Sequence, residues 1–255
     1  MARMAWQGLL IGVAAGIFGG IGGLGGGVVM VPLLGAWLGL SQHRAHGTSL
    51  VAVVVTGVVG VVPYALGGAV AARLALALAV ASIVGSSLAA GLSPRVPARA
   101  LRRVFGILVI VTGASLPFDA LVPAHAVSAA WALPLGLGTG LLAGAVSGLL
   151  GVGGGSVMVP LLVLLFGVGQ HMAQGTSLAV MVPAALAGSL QHLRHGHVDL
   201  RVAPALALGV AGGAYLGGRA ALALPNDTLR WLFAVLLVAT GVRYALSSRG
   251  GRRAS

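Results

Sequence analysis

GGIGGLGGGVVMVPLL, Gly19–Leu34, places seven glycines in nine residues and then turns into a purely apolar run. SGLLGVGGGSVMVPLL, Ser147–Leu162, is nearly the same text 128 residues later. Consecutive glycines disfavour continued helix. Each triple, Gly25-Gly26-Gly27 and Gly153-Gly154-Gly155, therefore predicts a break before a new helix that starts near Val28 or Ser156.

The repetition extends outward from there. Gln42-His43 and Gly47-Thr48-Ser49-Leu50 return as Gln170-His171 and Gly175-Thr176-Ser177-Leu178. From Gly20 to Leu50, 19 of 31 positions are identical at the offset of 128. The same offset aligns Arg73 with Arg201, Pro97 with Pro225 and Thr112-Gly113 with Thr240-Gly241, with no gap. The chain is thus a tandem duplication. Its expected parts are a membrane repeat over 1–117, a linker over 118–128, a second repeat over 129–248 and a basic tail over 249–255.

Hydrophobic residues make up 58% of the 255 positions and charged ones 7%. A soluble domain carries about 25% charged residues. The apolar runs are continuous rather than alternating, which predicts an all-α integral membrane protein and disfavours a β-barrel. Each half reads as five apolar segments, roughly 5–21, 28–40, 48–66, 74–92 and 101–117, and then 131–149, 156–168, 176–192, 202–221 and 229–246. The second segment of each half extends roughly 20 Å as a helix, short of the roughly 30 Å hydrocarbon core. It is read as a short, broken or re-entrant helix. The first run has no small-residue cleavage site and is read as retained rather than removed.

No cysteine is present, so disulfides and thiolate metal sites are excluded. The net charge of +12 comes from arginines in short loops and the C-terminal tail. In that setting positive charge orients a membrane protein and does not indicate nucleic acid. An odd number of crossings per half collects Arg3, Arg44, Arg95, Arg99, Arg102, Arg103, Arg194, Arg201, Arg243, Arg249, Arg252 and Arg253 on one side, and leaves Arg73, Arg219 and Arg230 on the other. Odd units joined in tandem lie inverted in the membrane, with both termini cytoplasmic, and inverted repeats with interrupted helices are a transporter architecture.

A helix N-terminus exposes unpaired N–H groups and a partial positive charge, so an anion can bind there without a cationic side chain. Bare glycine backbone would allow the approach. Gly25, Gly26, Gly27, Gly153, Gly154 and Gly155 are accordingly the candidate substrate-binding residues, opposite the alternative of a simple tight turn. Thr48, Ser49, Thr176 and Ser177 open the third segment of each half and are either N-caps or further donors to the anion. Gln42, His43, Gln170 and His171 are candidates for gating or proton coupling because both copies keep them. Gly12, Gly16 and Gly20, like Gly140, Gly144 and Gly148, are spaced for close helix packing. Gly20, Gly22 and Gly25 match a nucleotide-binding pattern but lack its strand context. His192, His195 and His197 invite a metal reading, but the short loop favours a solvated cluster; no metal or cofactor is expected.

All three aspartates, Asp119, Asp199 and Asp227, are read as loop residues, and no glutamate exists. The spans therefore carry no carboxylate relay or multi-carboxylate cation site. No nucleophile–base set recurs, so an enzyme is disfavoured.

The Gly-rich stretch before MVPLL, followed by GTSL, both duplicated through nearly the whole chain, resembles the TauE/SafE sulfite-exporter family of membrane transporters. That resemblance implies a secondary transporter for sulfur oxyanions or organosulfonates in a bacterial inner membrane. Members of that family are commonly assigned four membrane helices per half, one fewer than the five segments read here. The expected partners are a small anionic substrate, the lipid bilayer and, as a candidate, a second copy of the chain. A passive anion channel or a non-transport scaffold is the alternative.

Overall fold

The computed structural model describes residues 2–92, 98–116 and 129–247. Among these the chain forms helices α1 (Ala2–Gly22), α2 (Gly27–Leu38), α3 (Gln42–Leu66), α4 (Ala72–Leu92) and α5 (Ala98–Ser115) in the first repeat. The second holds α6 (Ala129–Leu150), α7 (Gly155–Phe166), α8 (Gln170–Arg194), α9 (Ala203–Leu222) and α10 (Asn226–Ser247). Each repeat has four long helices and one of 12 residues, which accounts for both a count of four and a count of five. Among the described residues, six helices are long and apolar enough to cross a membrane. The linker over 118–128 and the tail over 249–255 lie outside the described residues.

The two longest helices start earlier than expected. Gln42 and Gln170 are the first residues of α3 and α8, so the polar QHRAHG and QHMAQG stretches form their first turns. Their caps are Ser41 and Gly169, neither with a side-chain bond. Thr48, Ser49, Thr176 and Ser177 consequently lie inside helices and are not N-caps. Hydropathy marks where a helix enters lipid rather than where its hydrogen bonding begins.

The helices pair across the repeats. α1 lies along α9, with Gly12, Gly16 and Gly20 facing the backbone of Leu206, Val210 and Ala214. α6 lies along α4 in the corresponding way, with Gly140, Gly144 and Gly148 against Leu78, Ser82 and Ser86. Any Cβ at these glycines would strike backbone, so only glycine permits the contact. Between apolar helices in lipid, such close approach supplies the van der Waals packing that drives association.

Equivalent helices run antiparallel at the centre. Gly57 of α3 faces Val182 of α8, while Gly188 of α8 faces Leu50 of α3. Gly113 of α5 meets Leu237 of α10, and Gly241 of α10 meets Ile110 of α5. By these contacts Arg44, Arg194, Arg201 and Arg243 share one end of the bundle, and Arg73, Arg219 and Arg230 the other. The outer surface is apolar, with Leu66, Leu76 and Leu208 among the most exposed side chains. Trp6 and Trp37 are exposed toward the Arg44 end, and Trp131 and Trp231 toward the opposite end. Amphipathic indoles at both ends match two membrane interfaces.

Candidate functional site

The chain doubles back after α1. Gly26 caps α2 with φ 73°, and Gly154 caps α7 with φ 61°, a left-handed conformation that only glycine adopts without strain. A Cβ at Gly26 would strike the Ala15 carbonyl, and one at Gly154 the Ala143 carbonyl. Each turn therefore folds flat against the helix that precedes it. From there α2 runs to the Gln42 end of the bundle and α7 to the Gln170 end.

The two turns meet. A Cβ at Gly27 would strike the Gly151 carbonyl, and one at Gly155 the Gly23 carbonyl. Both Gly25 and Gly153 face the Met181 sulfur and the Val53 side chain. Val53 and Met181 are themselves equivalent under the offset of 128 and sit at the middle of α3 and α8. The N-termini of both half-length helices thus converge on the centre of the bundle. The Val29 and Met30 amides close on the Gly26 carbonyl at 3.0 Å, and the Val157 and Met158 amides on the Gly154 carbonyl at 3.1 and 3.0 Å. In α7 the turn also takes up the first amide, Gly155 N–H donating to the Gly153 carbonyl at 2.6 Å.

Each of the four hydroxyls has a partner in the opposite repeat. Ser49 Oγ donates to the Gly151 carbonyl at 2.8 Å, and Ser177 Oγ to the Gly23 carbonyl at 3.0 Å. Thr48 Oγ1 accepts the Asp199 N–H at 2.8 Å, and Thr176 Oγ1 accepts the Ala71 N–H at 3.0 Å. All four tie one repeat to the other, again in pairs related by the offset. The GTSL motif positions the glycine turns.

Tyr64 and His192, also equivalent positions, complete the frame. Tyr64 Oη donates to the Gly20 carbonyl at 2.8 Å, and His192 Nε2 lies 3.2 Å from the Gly148 carbonyl. His192 is buried in α8 and does not belong to a solvated loop. His43 stacks on His197 with ring centroids 5.2 Å apart, at the Arg44 end. Burial beside His43 and His195 lowers the pKa of His197. His171 lies at the opposite end, with Nε2 3.0 Å from the Ala221 carbonyl.

A cavity of about 290 Å³ opens at the Gln42 end, lined by Pro32, Gln42, His46, Arg243 and Tyr244 among others. Its inner wall, His46, abuts Gly151 at the glycine turn. Gln170, the counterpart of Gln42, is by contrast fully buried, and its side-chain amide has no hydrogen-bond partner. Arg243 and His46 are not among the candidate binding residues legible in the sequence, where Arg243 counts only toward the arginine asymmetry. Their signal was a break in the repeat, since the offset places Ser115 and Gln174 there. Near the cavity, Asp199 is held by Arg44 at 3.1 Å.

The sequence profile named Sulfite exporter TauE/SafE matches residues 2–116 and 127–255. A probable membrane transporter protein, YunE, of Bacillus subtilis is 28% identical, over 91% of this chain and 94% of that protein. A probable membrane transporter protein of Xylella fastidiosa is 29% identical, over 92% of this chain and 91% of its own length. No solved structure is a significant match.

Proposed function

This chain belongs to the Sulfite exporter TauE/SafE family, and we propose that it is a secondary transporter of small anions, with sulfur oxyanions or organosulfonates as the substrate class. The observation that carries this reading is the convergence of two half-helix N-termini on one point beside Val53 and Met181. Each N-terminus contributes roughly half a positive charge. Two of them create an anion-attracting centre in a region with no charged side chain, where a cation would be repelled. The glycines keep that backbone bare. The cavity at Arg243 is the approach from one end, and the buried Gln170 marks the closed approach from the other.

The repeats lie inverted in the bacterial inner membrane with both termini cytoplasmic. Antiparallel packing of α3 with α8 and of α5 with α10 supports inversion, because the equivalent helices point in opposite directions. The arginine-rich Arg44 end is then the cytoplasmic one. Proteoliposomes loaded with sulfite, sulfate, a sulfonate or chloride test the function. Saturable flux with exchange of sulfite or a sulfonate is the expected result. Flux that neither saturates nor exchanges identifies a passive channel, and absence of flux for all four anions sinks the transport reading.

A further inference from the structure

The offset of 128 relates the two glycine turns in backbone but not in their surroundings. Around Gly153–Gly155 stand Ser82, Ser147, Ser156 and Ser177. The corresponding positions around Gly25–Gly27 are Val210, Gly19, Val28 and Ser49. Four hydroxyls in one half stand against two in the other, Ser49 and Thr56, the latter donating to the Gly25 carbonyl at 3.1 Å where the second half has Ala184. The two of them without a partner, Ser147 and Ser156, both lie at the N-terminus of α7.

Three of these serines, Ser82, Ser147 and Ser177, line a small cavity together with Gly153, Gly154 and Gly155. Its volume is about 10 Å³, room for a single atom of water size. Ser82 Oγ donates to the Gly140 carbonyl at 2.8 Å and Ser177 Oγ to the Gly23 carbonyl, so each offers only lone pairs or a shared proton inward. Ser147 differs. Its side chain is 1% exposed, it lines the cavity, and its hydroxyl has no partner. A helical serine ordinarily bonds the carbonyl four residues back. Here that carbonyl, Ala143, is covered by the backbone of Gly154. Ser156, in the first turn of α7, is also fully buried and its hydroxyl also has no partner. A buried hydroxyl without a partner costs roughly 1–3 kcal/mol. Two of them beside one helix N-terminus point to an acceptor that the protein itself does not supply.

We infer that Ser147, with the α7 N-terminus behind it, forms a one-oxygen hole that receives a single oxygen of an oxyanion, and that the first repeat has no equivalent hole. Resting on the transport reading above, this makes the anion site one-sided. The rest of the anion lies toward Met181, and the cavity expands around it. Ser147 donates one hydrogen bond to the anion, the dipole of α7 supplies partial positive charge at its N-terminus, and no proton is transferred. The turn at Gly26, walled by Val28 and Val210, is the structural mate that positions it.

The test compares Ser147→Ala with Ser189→Ala, whose hydroxyl in α8 is already bonded to the Leu186 carbonyl at 2.9 Å. The readouts are the melting temperature of purified full-length protein in detergent, with and without sulfite, sulfate or chloride, and the KM of proteoliposome flux. Sulfite is expected to raise the wild-type melting temperature. Ser147→Ala should lose most of that shift and raise KM at least fivefold, while its ligand-free melting temperature stays level or rises. Ser189→Ala should keep both shift and KM. An unchanged sulfite shift and KM in Ser147→Ala overturns the inference and leaves Ser147 as the partner of a structural water only. A shift confined to chloride, or none with any of the three anions, overturns it too. An intact sulfite shift without flux in wild type would sink the transport reading and leave the oxygen hole standing.

Discussion

Ser49 in α3 of the first repeat donates its hydroxyl to the carbonyl of Gly151 in the glycine turn of the second, at 2.8 Å. The reciprocal bond runs from Ser177 to Gly23 at 3.0 Å. Each repeat thereby helps to hold the other's turn, in addition to the packing of each turn on the helix before it.

Replacing Ser49 with alanine strips a buried carbonyl of that donor, which costs about 1–3 kcal/mol. Ser177→Ala should cost a similar amount because it removes the equivalent cross-repeat bond. Denaturation of the two variants in detergent checks this. Destabilisation by only one of them would show that the ties are not equivalent.

Gly154 combines a φ of 61° with the Ala143 carbonyl in its Cβ position. Gly154→Ala should therefore lose roughly 1–2 kcal/mol from backbone strain, before any clash, together with most anion flux. Gly212 in α9 is exposed, with nothing within 4 Å of a Cβ, so Gly212→Ala should stay within about 0.5 kcal/mol and keep its flux. Equal loss of flux in both would remove the glycine turn from the transport path.

Arg243 lines the cavity of about 290 Å³ and is exposed. Arg243→Gln should raise KM for anions entering from that end several-fold and weaken the salt dependence of entry, since exposed charge is screened by salt. KM measured from the opposite end should stay within twofold. An equal rise from both ends would place Arg243 in the fold's stability instead.

His197 has a pKa lowered by burial and by His43 and His195, from 6.5 in the unfolded chain. The unfolded chain takes up a proton first as pH falls, so this contribution to stability is complete above pH ~6.5 and is lost below it. Melting temperature should drop below that pH, and His197→Gln should flatten the drop. A drop of the same size in the variant would assign the acid sensitivity to another group.

Single cysteines at Ser41 and Thr228, both exposed and at opposite ends of the bundle, test orientation in intact cells, because the chain has no native cysteine. An impermeant maleimide should label the Thr228 position from outside and reach Ser41 only after permeabilisation. The reverse pattern would turn the protein over in the membrane.

Much of this architecture is legible in the sequence alone. The duplication, the helical segments, the half-length α2 and α7 and the division of arginines between two ends all follow from composition and spacing, because lipid imposes length and hydropathy on each segment separately. The spacing of Gly12, Gly16 and Gly20 likewise announced a close helix contact but not its partner, α9, nearly two hundred positions away. Only the tertiary structure brought the two triple glycines to one point beside Val53 and Met181, and only it showed that Ser49 and Ser177 spend their hydroxyls on the opposite repeat. Those facts depend on which repeat packs against which, and a hydroxyl carries no mark in the sequence of the carbonyl it will meet. The same holds for Ser147. Its offset partner is Gly19, a difference visible on paper, yet its meaning rests on the Ala143 carbonyl being covered by Gly154, which only close packing of the turn against α6 brings about.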